Sequence, residues 1–559
     1  MPALSASARF NAFAGRFLDE YLRFEPVRAT ELGDHRFDGQ WPDVSEAGEK
    51  AWRSWVEGLL KELDTFPAAE LSAQDRVDQE IARTQLRGWL FSLDELRAAE
   101  RDPLYYTGLV GDGLDPLLHR DFAPLERRME NLHTRLAGIP ALLAAAKGRL
   151  KAPTALHTDT AIQQNRGLIA LCKDELPGEF ARVPALQGKL AEAARKATAA
   201  LEDFQVFLET EVKPRSTSDV RLGRVRFEKK LRSVLDDEVD IDALARDARA
   251  TLAQTQGEMV ATARELWPTL FKGKPWKEPT TEAEKKAAVR QVLGALAADH
   301  PSNSSIVQEA EKQLGEAAAF VKKHDLVRVP EEPCRVIEMP EYRRGVAVAY
   351  CDSSGPLEQK QETFYAISPT PRDWDEKRAA SFYREYNRTM LFDLTVHEAM
   401  PGHFLQLMHA NRFPSKLRAV FQSGTFIEGW AVYSEWLMAR HGFGGAAVRL
   451  QRQKMMLRVC ANTLLDHGVH AGTMTEEQAL ALMKDEAFQE DGEAVGKWRR
   501  ARLTSAQLST YFYGFSALMR LREAHEKKPG FQERAFHDRL LASGSPPPRH
   551  IRALLETPE

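Results

Sequence analysis

The residues best suited to do chemistry in this 559-residue chain stand in Leu391-Phe-Asp-Leu-Thr-Val-His-Glu-Ala-Met-Pro-Gly-His-Phe-Leu-Gln406, which contains His397, Glu398 and His403. Two imidazoles with a carboxylate beside the first are the donor set of a zinc site and its general base. The familiar spacing, His-Glu-x-x-His, sets the ligands four residues apart; here they are six apart. On an α-helix, positions i and i+4 differ by about 40° and can share one ion, whereas i and i+6 differ by about 120° and cannot. Pro401 and Gly402 supply the surplus. Proline removes a backbone donor and clashes with the preceding turn, and glycine tolerates the dihedrals of a bulge. Looping these two residues out returns His403 to the face of His397. Glu398 is then free to act as general base on a water at the metal without being a ligand.

A catalytic zinc needs a third protein ligand and one open position. Glu428 fits, 25 residues after His403 in the apolar helix Gly424-Thr-Phe-Ile-Glu-Gly-Trp-Ala-Val-Tyr-Ser-Glu-Trp-Leu437. An uncompensated carboxylate in such surroundings costs several kcal/mol or more, a cost that zinc offsets. Glu435, seven residues on and so on the same face, is the candidate to hydrogen-bond a ligand histidine. Asp466 and His470, at i and i+4, could form a pair that stabilises an oxyanion. Tyr511 could donate its phenol to the tetrahedral intermediate, and the Arg499, Arg500 and Arg502 cluster could receive a substrate carboxylate.

The elements that must position these residues are mostly helices. From Ala6 to about Lys323, apolar residues recur at three and four spacings, interrupted at Pro103, Pro153, Pro214, Pro275 and Pro301. Between about Val327 and Pro371 the texture changes. Cys334-Arg-Val-Ile-Glu-Met339, Val346-Ala-Val-Ala-Tyr350 and Thr363-Phe-Tyr-Ala-Ile367 predict a small sheet of two to four strands. Helical periodicity returns after Asp373 and runs to about Glu526, with one more helical run near Phe531 to Leu541. The expected organisation is an N-terminal helical region, 1–326, and a catalytic region, 327–559, as one interlocked unit.

Composition narrows the classes of function. A formal net charge of −4 with both signs interspersed argues against nucleic acid or a membrane surface as partner. The start, MPALSASARFNAFAGRF, lacks a basic segment followed by an apolar run and a cleavage site, and no stretch of about 18 apolar residues occurs. Cys172, Cys334, Cys351 and Cys460 are scattered without a Cys-x-x-Cys pair, which argues against a disulfide framework and against a thiolate zinc site. A soluble cytoplasmic protein is expected.

His-Glu-x-x-Pro-Gly-His, Glu428-Gly-Trp-Ala431, Pro26-Val-Arg-Ala-Thr-Glu-Leu-Gly-Asp-His35, Tyr386-Asn387, Asp466-His-Gly-Val-His470 and Gln507-x-x-x-Tyr511-x-x-Gly514 together resemble the bacterial domain-of-unknown-function family 885 over nearly the whole chain. The resemblance implies a mainly α, two-lobed, gluzincin-like zincin fold with a small sheet beside the active-site helix and a central substrate channel. It also implies one Zn²⁺ per chain and a carboxypeptidase or oligopeptidase type of activity on peptides, and it favours Arg500 as the carboxylate receiver. Ala501 and Ser505 depart from the family pattern Arg-Tyr-x-x-x-Pro-x-Gln, which bears on substrate binding more than on the metal.

Competing readings are a non-peptide amidase or esterase on the same zinc site and a helical scaffold that holds metal without turnover. A di-iron bundle would need paired Glu-x-x-His motifs, and Glu130-Asn-Leu-His133 stands outside the constellation. The oligomeric state is open, a homodimer included.

Overall fold

In the computed structural model, residues 5–339, 344, 348–358, 362–372 and 374–556 are described. The chain is mainly helical with one three-stranded sheet. It divides into two compact units. One comprises Met1–Val220 with Ser354–Gln361 and Ser415–Phe421; the other comprises Arg221–Ser353, Glu362–Pro414 and Gln422–Glu559. The division therefore falls at 220/221, not at the expected 326/327. The reason is packing: helix Ile241–Leu270 lies along the long helix Gly445–His470, and helix Ile306–Lys323 lies on the Arg388–Glu398 helix. Amphipathic periodicity shows that a helix has an apolar face but does not say which neighbour covers it.

The first unit is built around Leu125–Arg149, whose Met129, Leu132, Leu136, Ile139 and Leu143 are buried against helices Leu104–His119 and Gln187–Phe207. An aromatic group of Phe17, Tyr21, Trp52, Trp55, Trp89 and Phe421 packs beside the buried Asp78–Arg418 ion pair, 2.7 Å. The insertion of 415–421 into this unit is thereby anchored by both apolar and charged contacts.

The second unit carries the sequence motifs. Its sheet has the order β1-β3-β2, with β1 (Arg335–Glu338) parallel and β2 (Ala349–Asp352) antiparallel to the central β3 (Phe364–Ile367). Three strands agree with the two to four expected. The middle one begins three residues later than Val346, and 346 and 347 lie outside the described residues. Ala366 is fully buried on one face of β3 and Tyr365 and Ile367 on the other, as a central strand covered on both faces should be. Tyr365 and Ile367 join Leu391, Val396, Phe404, Phe426, Trp430 and Tyr433 in one apolar core. The site stands on this core. Among the described residues no helix is long and apolar enough to cross a membrane.

Candidate metal centre

The helix Arg388–Glu398 starts under Asn387, whose side chain accepts the Met390 amide, and ends one residue after His397. The next helix, His403–Ala410, begins at the second imidazole. The six-residue spacing is therefore accommodated at a break between two helices, a sharper interruption than a bulge in one continuous helix. The hydrogen bonds show how the frame is recovered. The Gly402 amide donates to the Val396 carbonyl at 2.9 Å, and Leu405 donates to Ala399 at 3.3 Å. Each bond reaches six residues back instead of four, so the chain rejoins its ladder two residues out of step. The expected return of His403 to His397 is met, and the two rings lie 4.8 Å apart between centroids.

Only glycine can occupy 402. A Cβ there would lie 1.9 Å from the His397 carbonyl oxygen and 2.3 Å from that of Val396. The Pro401 carbonyl accepts the indole N–H of Trp430 at 2.8 Å, which fixes the break to the third helix, Gly424–Arg440. This explains the Trp of Glu-Gly-Trp-Ala, a role that motif reading alone did not reveal.

Glu428 lies on that third helix, its side chain 20% exposed. One of its oxygens, Oε2, stands 3.7 Å from His397 Nε2 and 3.6 Å from His403 Nε2. These separations are too long for hydrogen bonds. They approach the ligand-to-ligand edge of a tetrahedron with bonds of about 2.0–2.1 Å. The three ligand atoms lie within 4.8 Å of one another, and Glu428 Oε2 is buried without a hydrogen-bond partner. Burial alone would raise the Glu428 carboxyl, but the two imidazoles beside it outweigh burial and hold it well below the usual carboxylate range. Two imidazole nitrogens, freed of protons on binding, and one carboxylate oxygen are a donor set that suits zinc, and the residues present fit that ion.

The surroundings orient these groups. His397 Nδ1 is 2.6 Å from Glu435 Oε1, on a carboxylate 2% exposed, so the far nitrogen of the ring is fixed and Nε2 faces Glu428. Behind Glu435 lie the buried Asp393 and Arg452; burial and the charge of Glu435 push the Asp393 carboxyl well above its ordinary range. Glu398, the residue after the first ligand, accepts the backbone N–H of Cys351 at 3.1 Å. The amide of a β2 residue thus points away from β3 to hold the candidate base, a link that sequence spacing did not suggest. The Tyr365 phenol of β3 meets Thr395 at 3.2 Å and ties the sheet to the first ligand helix.

The remaining site residues divide. Tyr511 is brought near: Glu428 acts on its phenol, which burial first and that carboxylate second push up to about 12. It therefore remains a donor across the ordinary pH range. Arg500 joins it through Gln507, with Arg500 to Gln507 at 2.8 Å and Gln507 to Tyr511 at 3.3 Å. Tyr513 instead bonds Asp237. His470 must be reassigned. Its Nε2 donates to the backbone carbonyls of Ala501, 2.9 Å, and Thr504, 2.8 Å, and its ring stacks on Phe227. That proton is committed to the end of helix Asp491–Leu503 and is not available to an oxyanion. Asp466 accepts the Ala506 and Ser509 amides and the Ser509 hydroxyl, so it caps backbone where a pair with His470 was expected. Both residues shape the turn that carries Gln507 and Tyr511.

Comparison with known proteins finds similarity over nearly the whole chain. A family model described as a bacterial protein of unknown function (DUF885) matches residues 26–555. A solved structure from Shewanella oneidensis, described as a candidate lipoprotein of unknown function, is similar with a TM-score of 0.84 and 31% identity, covering 98% of this chain and 100% of that one. A candidate lipoprotein from Colwellia psychrerythraea has a TM-score of 0.81 at 16% identity, covering 99% of each chain, and its likeness is one of fold. No curated protein matches.

Proposed function

For a chain that belongs to the bacterial family of unknown function DUF885, we propose the activity of a zinc-dependent peptidase that hydrolyses short peptides by general-base catalysis. The observation that carries this reading is the convergence of His397, His403 and Glu428 on one point, with Glu398 held beside it by the Cys351 amide. Zinc bound by these three residues would supply a Lewis acid that activates water and polarises a carbonyl. Glu398 takes the proton of the attacking water and returns it to the leaving amine. Its hydrogen bond to Cys351 leaves the second carboxylate oxygen for that exchange. Glu435 keeps the His397 ring in one orientation, and Tyr511 donates toward charge developing on the carbonyl oxygen. The β2 edge whose Cys351 amide reaches Glu398 lies beside the candidate base, and a substrate backbone laid there would be read as main chain. A gluzincin-like fold with a substrate channel belongs to this same reading.

Purified protein should hold close to one zinc per chain and release fragments from a mixed peptide library. Chelation should abolish both properties, and restored zinc should return them. Zinc with ester or non-peptide amide hydrolysis, and no peptide fragments, would favour the amidase or esterase alternative. Bound zinc with no turnover of any substrate would favour the scaffold. Four free thiols fit a reducing compartment, while the similar structures are described as lipoproteins. Fractionation of cells separates a cytoplasmic chain from an anchored one.

A further inference from the structure

Helix Ile241–Leu270 runs on past the apolar face that holds it. Its last buried residue is Ala263, and beyond that point Leu266, Trp267 and Leu270 are only half-buried. The helix closes with the Phe271 amide on the Trp267 carbonyl at 2.8 Å. The chain then reverses in Phe271-Lys-Gly-Lys274, where the Lys274 amide donates to the Phe271 carbonyl at 3.0 Å. Gly273 supplies the positive φ, 78°, that the third position of such a turn requires, and a Cβ there would meet nothing within 4 Å. The turn projects into open space.

Three half-buried rings gather behind it. Trp267 packs on Phe271 with centroids 4.3 Å apart, and Trp276 meets Trp267 edge-on at 5.1 Å. Both indole N–H groups are satisfied within the loop: Trp267 donates to the Lys274 carbonyl at 3.0 Å and Trp276 to Glu278 at 2.8 Å. Rings with satisfied donors can leave water without stranding a polar group. Around them stand Lys272, Lys274 and Lys277, all exposed, whose ammonium groups have no partner among the described residues. The neighbouring acids are engaged elsewhere. Glu265 pairs with Arg449, Glu278 with Arg264 at 3.5 Å and Glu282 with Lys285 at 2.7 Å, while Glu284 accepts the amides of Thr280 and Thr281. The even mixing of charge along the chain, which argues against an anionic partner, fails at this loop.

We propose that the loop carrying Trp267, Phe271 and Trp276 with Lys272, Lys274 and Lys277 docks the protein on an anionic phospholipid surface. The lysines meet the headgroup phosphates, and the rings enter the boundary between headgroups and acyl chains, where aromatic side chains are favoured. A single nucleic-acid strand asks for open ring faces and a basic track several nucleotides long. Here the rings pack on one another and the lysines lie within 272–277. Docking of this kind involves neither zinc nor the proposed hydrolysis, so its test is independent of both.

Full-length protein is sedimented with extruded vesicles of phosphatidylcholine alone and of phosphatidylcholine mixed equally with phosphatidylglycerol. Each lysine near an anionic surface strengthens binding about fivefold, so wild type should prefer the mixed vesicles by roughly 100-fold and lose that preference as salt is raised. A variant combining Lys272→Gln, Lys274→Gln and Lys277→Gln should bind both vesicles alike. The three side chains are exposed, so circular dichroism of that variant should match wild type. Lipids brominated along the acyl chains should quench the tryptophan emission of bound wild type, and that of Trp276→Ala less. Equal binding of wild type to the two vesicles, or a preference for the mixed vesicles retained by the triple variant, would overturn the proposal. So would capture of a single-stranded oligonucleotide with no binding to either vesicle.

Discussion

Gly402→Ala is the sharpest test of the geometry that lets a six-residue spacing behave as a four-residue one. The added Cβ would sit 1.9 Å from the carbonyl oxygen of His397, the first ligand, and 2.5 Å from its carbonyl carbon. Side-chain carbons essentially never approach heavy atoms closer than 3.0 Å, so the two segments must separate by at least about 1 Å. The atoms met are backbone, not the ends of flexible side chains, so no rotamer change relieves the clash. Movement of that size also lengthens the 2.9 Å bond from the Gly402 amide to Val396, which restores the helical frame before His403. Zinc sites tolerate deviations of only about 0.2 Å in ligand distance. A shift of about five times that tolerance between ligands on either side of the break should weaken zinc at least 100-fold, because displacing a single supporting group already costs about 10–100-fold. Competition against a chromogenic chelator measures this directly, and circular dichroism shows whether the helices remain. A folded Gly402→Ala protein with wild-type zinc affinity would refute the argument that the close approach at 402 sets the position of His403.

Other expectations concern single groups. His397→Ala, His403→Ala and Glu428→Ala should each leave the purified protein with little zinc by elemental analysis, and full metal content in all three would remove the centre from these residues. Glu435→Gln should weaken zinc about 10–100-fold by the same competition assay, because the neutral amide no longer supports the His397 ring as a carboxylate does; an unchanged affinity would reduce Glu435 to a packing group. His537, fully buried between the Tyr433 phenol and the Leu326 carbonyl, is pushed down to about 4 by burial. The unfolded chain takes up that proton near pH 6.5 and the folded chain resists until about 4, so acidification across this window favours unfolding, by about 3 kcal/mol for this group. Denaturant melts should show that component in wild type and not in His537→Gln, and parallel pH profiles would count against it.

What sequence could carry and what it could not have the same physical origin. The convergence of His397, His403, Glu428 and Glu435, with Glu398 next to the first of them, was legible because each contributes its own side chain at a spacing that helix geometry constrains. Pro401 and Gly402 were legible as an interruption. That the interruption splits one helix into two depends on Trp430 holding the Pro401 carbonyl, a contact 29 residues away in sequence. The Cys351 amide that holds Glu398 was invisible because backbone donors carry no residue signature. His470 misled for a related reason: an i,i+4 pair predicts proximity on a helix, yet Asp466 and His470 each found backbone partners in the turn that follows Asp491–Leu503. In the fold, the helical character and the small sheet could be read from periodicity, whereas the boundary at 220/221 depended on which helices cover one another.

Peptide cleavage at this centre with Glu398 as the base is tested by comparing two zinc-loaded proteins. Zinc-loaded wild type and zinc-loaded Glu398→Gln are incubated with the same peptide library, with metal content verified in both, and the products are counted by mass spectrometry. The two proteins should hold equal zinc, wild type should release fragments, and the variant should form product at least about a hundredfold more slowly. Fragments appearing at the same rate from both proteins, or from neither, would contradict it.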